Sequence, residues 1–234
     1  MSLRQRVESV QERIRAAVRR AGRDPAQIEL IAVSKTHPVE FVRLVAAQGV
    51  RSFGENRVQE AAGKVPEAAE LHWHFIGRLQ RNKARKAVAL FELIHSVDSL
   101  RLAETLDRLG CEREEPVRGL IEVKLGGESS KGGVEPAALL PLLERLAGFE
   151  GLRIEGLMTI PPPANAPEAQ RPAFRRLAEL AREVKASRIE GVAMRHLSMG
   201  MSSDFEVAIE EGATLVRIGT ALFGPRRPWP PSSG

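Results

Sequence analysis

The feature that most constrains this chain is its rhythm. From Ile28 to Gly219, short apolar runs alternate with helix-patterned segments through eight rounds. The first run, IELIAVS (Ile28 to Ser34), is rich in aliphatic residues and too short for a typical helix, so it reads as a buried strand. Later strands are read at Val50 to Phe53, Leu71 to Ile76, Glu92 to Val97, Val117 to Val123, Leu152 to Met158, Val192 to Ser198 and Thr214 to Gly219. Helices are read between them at Val39 to Gln48, Arg57 to Lys64, Arg81 to Leu90, Leu100 to Leu109, Pro136 to Leu146, Pro172 to Ala186 and Asp204 to Glu211. One more helix precedes them all. Leu3, Val7, Val10, Ile14 and Val18 recur at spacings of three and four, and Gly22 supplies a stop.

Strands separated by helices pair in parallel through right-handed crossovers. Eight such units in 234 residues fit a single α/β TIM (β/α)8 barrel, which typically takes ~250. The competing doubly wound sheet needs a G-x-G-x-x-G turn after the first strand, and SKTHPVE stands there instead. The expected organisation is an N-terminal helix (residues 1–27) packed on a barrel (28–224), followed by a proline-rich tail (225–234).

Composition narrows the function classes. A chain with 43% hydrophobic and 28% charged residues has the make-up of a soluble globular protein. The single cysteine, Cys111, precludes a disulfide within the chain and fits a reducing compartment. No uncharged apolar stretch nears the ~18 residues that span a bilayer. The start, MSLRQRVESVQERIR, lacks the apolar centre of a secretory signal. A cytoplasmic protein without a membrane partner is expected. The net charge of +5 hints at an anionic partner, but 30 acidic residues are interspersed among 35 basic ones. Aromatics at 4%, with no tyrosine, count against a single-stranded nucleic-acid binder. The basic run Arg78, Arg81, Lys83, Arg85, Lys86 reads as a solvated helix face, or as one that draws an anionic ligand or a partner enzyme to the barrel mouth. His72 and His74 share a strand face with Ile76, opposite Trp73 and Phe75, and lack the further ligands a metal site needs.

A barrel carries its chemistry at the C-terminal ends of its strands. There, Lys35 follows Ile31 and Val33 on one face by period-two alternation. A lysine so placed is partly desolvated, which lowers its pKa and frees the amine as a nucleophile; the alternative is a side chain that snorkels to solvent. SMGMSSD (Ser198 to Asp204) and RIGT (Arg217 to Thr220) follow the last two strands, where barrels commonly hold phosphate on backbone amides. Ser203-x-x-Glu206 also reads as a capping box. Ser198 and the Gly219 and Thr220 amides are therefore expected to form the main cradle, with the Ser202 region secondary.

Taken together, AVSKTHP, SFGENRVQE, WHFIGRLQRNK, LSMGMSSDF and VRIGTALFG resemble the YggS/PROSC family of pyridoxal phosphate homeostasis proteins, over about Ile28 to Gly224. The resemblance implies a barrel similar to the N-terminal domain of alanine racemase. It also implies that pyridoxal 5'-phosphate (PLP) is held as a Schiff base on Lys35. By the same resemblance, Ser198, Gly200, Gly219 and Thr220 cradle the phosphate, Asn56 and Met199 line the cofactor, and Arg217 faces its pyridine nitrogen. An arginine there leaves that nitrogen unprotonated and the cofactor a weaker electron sink, which suits a holder of PLP better than a catalyst. The implied role is PLP buffering and delivery to PLP-dependent apo-enzymes by a monomer. The rival is an amino-acid racemase, against which the missing tyrosine and missing second domain weigh. Two departures from the family pattern stand at the rim. Lys124-Leu125-Gly126 and GESSK replace an Asn-Thr-Ser type start and GEESK, and Arg57 stands where several relatives carry tyrosine.

Overall fold

In a computed structural model, which describes residues 1–126 and 132–224, eight parallel strands close into a barrel in simple sequence order. They are β1 (Glu29–Val33), β2 (Ser52–Glu55), β3 (His72–Phe75), β4 (Leu93–Val97), β5 (Val117–Glu122), β6 (Leu152–Met158), β7 (Val192–Ser198) and β8 (Leu215–Ile218). Closure is made by β1 pairing with β8, Ile31 opposite Arg217, as well as with β2. The helices are α1 (Leu3–Arg20), α2 (Val39–Ala46), α3 (Val58–Lys64), α4 (Ala84–Leu90), α5 (Leu100–Glu112), α6 (Pro136–Leu146), α7 (Arg171–Ser187), α8 (Phe205–Glu210) and α9 (Thr220–Phe223). The alternation and the barrel expected from sequence are what the chain forms. The proline-rich tail and residues 127–131 of the loop after β5 lie outside the described residues.

Period-two alternation sorts the side chains into two cores. Ile31, Leu93, Leu120, Met158 and Leu215 meet inside the barrel. Ala32, Phe53, Trp73, Phe75, Ile94, Ile121, Leu157, Val216 and Ile218 point outward into the larger core beneath the helices. α1 starts with a reciprocal cap, Ser2 Oγ accepting from Gln5 N and Gln5 Oε1 accepting from Ser2 N. It lies against α8 and α9. Arg13 pairs with Glu206, Arg20 with Glu210, and Arg6 donates to the Leu222 carbonyl.

Two local expectations shift. β2 runs from Ser52 to Glu55, two residues later than read, because Gly54 lies inside the strand rather than at its end. A Cβ on Gly54 would stand 3.0 Å from Ile31 Cγ2 and 3.1 Å from Ile76 Cδ1, so the barrel interior has no room for one. The capping box at Ser203 does not form. The residue before α8 is Asp204; its Oδ1 accepts from Met201 N, and Glu206 turns to Arg13 of α1.

Candidate functional site

At the C-terminal end of the barrel lies a cavity of about 770 Å3. Val33, Lys35, Asn56, Glu122, Arg217, Gly219 and Thr220 line it, with Met201 to Ser203 on one rim and Ile160 to Pro163 on another. Of the residues expected at the site, Lys35, Asn56, Arg217, Gly219 and Thr220 come together here. Lys35 is half-buried and follows Ile31 and Val33 inward as the alternation predicts.

The turn that carries Lys35 is clamped from outside the barrel. Lys64 Nζ lies 2.7 Å from Glu55 Oε1, 2.6 Å from Glu60 Oε1 and 2.9 Å from the Ser34 carbonyl oxygen. Ser34 Oγ donates to the same Glu55 oxygen, and Thr36 N donates to Glu60. The residues on both sides of Lys35 are thus tied to one ion-pair cluster in which Glu55 is fully buried and Lys64 nearly so. Burial pushes the Glu55 carboxyl above its usual range, and Lys64 pulls against that shift. Thr36 adopts φ +68°, an unusual state for a β-branched residue, and its buried Oγ1 has no hydrogen-bond partner among the described residues.

Arg217 forms the floor. Its guanidinium is buried, donates to Ser198 Oγ, and donates to the Thr159 carbonyl at 2.9 Å. Burial lowers its pKa to about 10, with Glu122 and Asp204 opposing, so it keeps its charge at neutral pH. Behind it a chain of hydrogen bonds crosses the barrel. Ser198 Oγ is 2.8 Å from His95 Nδ1, and His95 Nε2 is 2.9 Å from His74 Nδ1. His74 Nε2 faces Glu29 Oε1 at 3.7 Å. Hydrogen-bond accounting assigns the protons. Ser198 accepts from Arg217, so its own buried hydrogen goes to His95 Nδ1. His95 then donates from Nε2 to His74 Nδ1, which leaves the His74 hydrogen towards Glu29. Both histidines are neutral in this arrangement, and burial lowers the pKa of each, that of His74 to about 4.

Ser198, Met199 and Gly200 do not line the cavity. Ser198 reaches it only through Arg217. Met199, the next residue along, points outward into the shell core. Gly200, at φ +89°, lets α8 approach: a Cβ there would stand 2.5 Å from Ala208 Cβ and 2.9 Å from Phe205 Cα. The rim role falls three residues further on. Ser202 Oγ accepts from both Gly219 N and Ala221 N at 3.3 Å, so two amides converge on one oxygen. A Cβ on Gly219 would meet Val33 at 3.4 Å, an ordinary van der Waals contact, on the side of β1.

Sequence reading missed Glu122, His95, Lys64 and Glu60. Glu122 was accessible to it, since Leu120 and Glu122 share the inward face of β5. Burial and neighbouring Asp98 push its carboxyl pKa up. The His74 side chain lies inside the barrel, while His72 is exposed and pairs with Glu92.

An inward lysine at the end of β1, paired amides after β8 and a buried arginine floor are thus gathered at the C-terminal end of a closed, eight-stranded α/β barrel. Residues 6–227 match the family described as "Alanine racemase, N-terminal domain". The chain belongs to the YggS/PROSC family of pyridoxal phosphate homeostasis proteins. It is 47% identical to the "Pyridoxal phosphate homeostasis protein" of Aquifex aeolicus, covering 97% of this chain and 100% of that one. It is 45% identical to the protein of the same name from Pseudomonas aeruginosa, covering 99% of each chain. It superposes with a TM-score of 0.83 on PipY of Synechococcus elongatus solved with PLP bound, at 40% identity over 95% of this chain and all of that one. Among the described residues, no helix is long and apolar enough to cross a membrane.

Proposed function

We propose that this protein holds pyridoxal 5'-phosphate on Lys35 and serves its buffering and delivery inside the cell, as a cytoplasmic monomer without established turnover. The observation that carries this reading is the convergence, in one cavity, of Lys35, Arg217, Ser202, Gly219 and Thr220. The residues fit the group. The two amides already converge on one oxygen acceptor at the cavity rim, and Thr36, next to Lys35 in the chain, has a buried Oγ1 without a hydrogen-bond partner among the described residues. The cofactor, when bound, supplies an aldehyde for a lysine amine and a conjugated ring that withdraws electrons.

This chain's own residues then divide the work. Lys35 provides the amine on a turn that Lys64, Glu55 and Glu60 hold in place. The amides of Gly219 and Ala221, with Ser202 and Thr220, take the phosphate. Arg217 is assigned to the pyridine nitrogen. A guanidinium donates and does not accept, so no proton is delivered to that atom and carbanion chemistry is damped. Asn56 completes the wall. Delivery to PLP-dependent apo-enzymes is the fate this design suits.

The racemase reading gains one observation, the protonatable carboxyl of Glu122 in the same cavity. It lacks tyrosine as a second acid-base group. The test is to mix PLP-loaded protein with a PLP-dependent apo-enzyme and to follow recovery of that enzyme's activity. Recovery faster than loss of PLP to dialysis supports delivery. Saturable racemisation of alanine or serine that Glu122→Gln abolishes would replace this reading with the racemase one.

A further inference from the structure

Beside the Lys35 cavity lies a second one, of about 590 Å3. Five cationic side chains line it: Arg57, Arg78, Arg81, Lys83 and Arg101. They come from three successive βα connections. Arg57 precedes α3, Arg78 to Lys83 join β3 to α4, and Arg101 lies in the first turn of α5. The fold thus gathers onto one groove part of the basic run, whose Arg85 instead turns away to pair with Glu112. Asp98 is the one carboxylate lining the groove, and it stands 3.7 Å from Arg78. Among the described residues, Arg57, Arg81, Lys83 and Arg101 have no carboxylate partner within 4 Å. Four positive charges that repel one another across a concave surface raise the local concentration of an anion.

The groove is not polar throughout. Val58, Phe75, Leu79 and Leu102 are buried side chains that also face it. An apolar floor beneath a cationic rim matches a flat ring that bears a phosphate better than it matches inorganic phosphate alone. Asn56 and Arg78 line this groove and the Lys35 cavity alike, so the two are contiguous and share a cation.

We propose that this groove is a second, non-covalent site for a phosphorylated aromatic ligand, a station that such a ligand occupies on its way to and from Lys35. The proposal rests on the PLP reading given above for the identity of the ligand in transit. Arg81 and Arg101 line the groove and not the Lys35 cavity, so they separate the two sites. The experiment uses the full-length apo-protein and an Arg81→Ser/Arg101→Ser variant. Pyridoxine 5'-phosphate, which has no aldehyde for a lysine to attack, is titrated by calorimetry. PLP loading is followed by stopped-flow absorbance at low and high salt. The expected stoichiometry is two in the wild type and one in the variant. The expected loading rate falls at least tenfold in the variant at low salt, with the final amplitude unchanged and the salt dependence largely lost. Thermal midpoints of the two proteins are compared so that misfolding is detected, and Arg57→Ser serves as an independent single variant. One site in the wild type, or equal stoichiometry and loading rates in the variants, would overturn the proposal. So would binding of RNA or an acidic protein that the variants lose while their stoichiometry stays the same. Failure of PLP to attach to Lys35 in the wild type would instead strike the PLP reading, and the calorimetric count would still decide the groove.

Discussion

Lys64 Nζ stands 2.9 Å from the carbonyl oxygen of Ser34, the residue immediately before Lys35. The same ammonium neutralises fully buried Glu55. One buried cation therefore both stabilises the barrel wall and fixes the turn that presents the amine. Lys64→Met leaves Glu55 buried without its counter-charge and is expected to destabilise the fold by ~3–5 kcal/mol. A Glu55→Leu/Lys64→Met double variant is expected to recover much of that stability, because the fully buried charge goes together with its partner and only part-exposed Glu60 is left without its cation, while attaching PLP more slowly than the wild type. Urea denaturation and the rate of appearance of the visible band check the two halves separately.

Gly200→Ala tests why glycine follows Met199. The position has φ +89°, and a Cβ would press on Ala208 and the Phe205 backbone. A loss of roughly 2–5 kcal/mol is expected from strain and overpacking together. If denaturation curves of wild type and variant coincide, the close approach of α8 is not what selects the glycine.

These two sites mark how far sequence can be read. Alternation along a strand is local, so the inward direction of Lys35 and Arg217 was legible from their neighbours. The same rule sends Ser198 inward and Met199 outward, whereas the family motif spans the whole run Ser198 to Gly200 without distinguishing faces, and the cavity is rimmed by Met201 to Ser203. The strand read at Val50 to Phe53 stops short of Gly54, which β2 in fact includes. Only the opposing Ile31 and Ile76 show that it is a packing requirement. Lys64 and His95 act through partners on other elements, nine and 103 residues away, so no local pattern announces them.

Ser198→Ala removes the hydroxyl between Arg217 and His95. The guanidinium loses an acceptor and His95 Nδ1 loses its donor, both in a buried setting. Stability is expected to fall by ~1–3 kcal/mol. The visible absorbance of the PLP-loaded variant is also expected to change its pH dependence, since Arg217 is released on one side. A variant that is less stable but spectrally unchanged would limit Ser198 to packing.

The neutral histidine pair makes stability depend on pH. Burial holds both folded-state pKa values below the ordinary 6.5, that of His74 at about 4. The unfolded chain takes up protons below pH ~6.5 that the folded barrel refuses, so this part of the stability is present above that pH and is lost as pH falls towards 4. The slope is at most ~1.4 kcal/mol per pH unit for each histidine. Glu55 and Glu122 act with the opposite sign. Their folded-state pKa values are raised, so falling pH favours the folded state through those groups. Denaturation from pH 7 to 4 of the wild type and His95→Gln, taken as a difference, isolates the histidine contribution. The variant is expected to lose less stability over that range than the wild type.

The most direct test of the central claim is a visible spectrum of the purified protein incubated with PLP, taken before and after borohydride, followed by peptide mass mapping. The account predicts a yellow band that reduction removes, with the adduct fixed on Lys35. A protein that stays colourless, or an adduct spread over surface lysines with Lys35 unmodified, would contradict it.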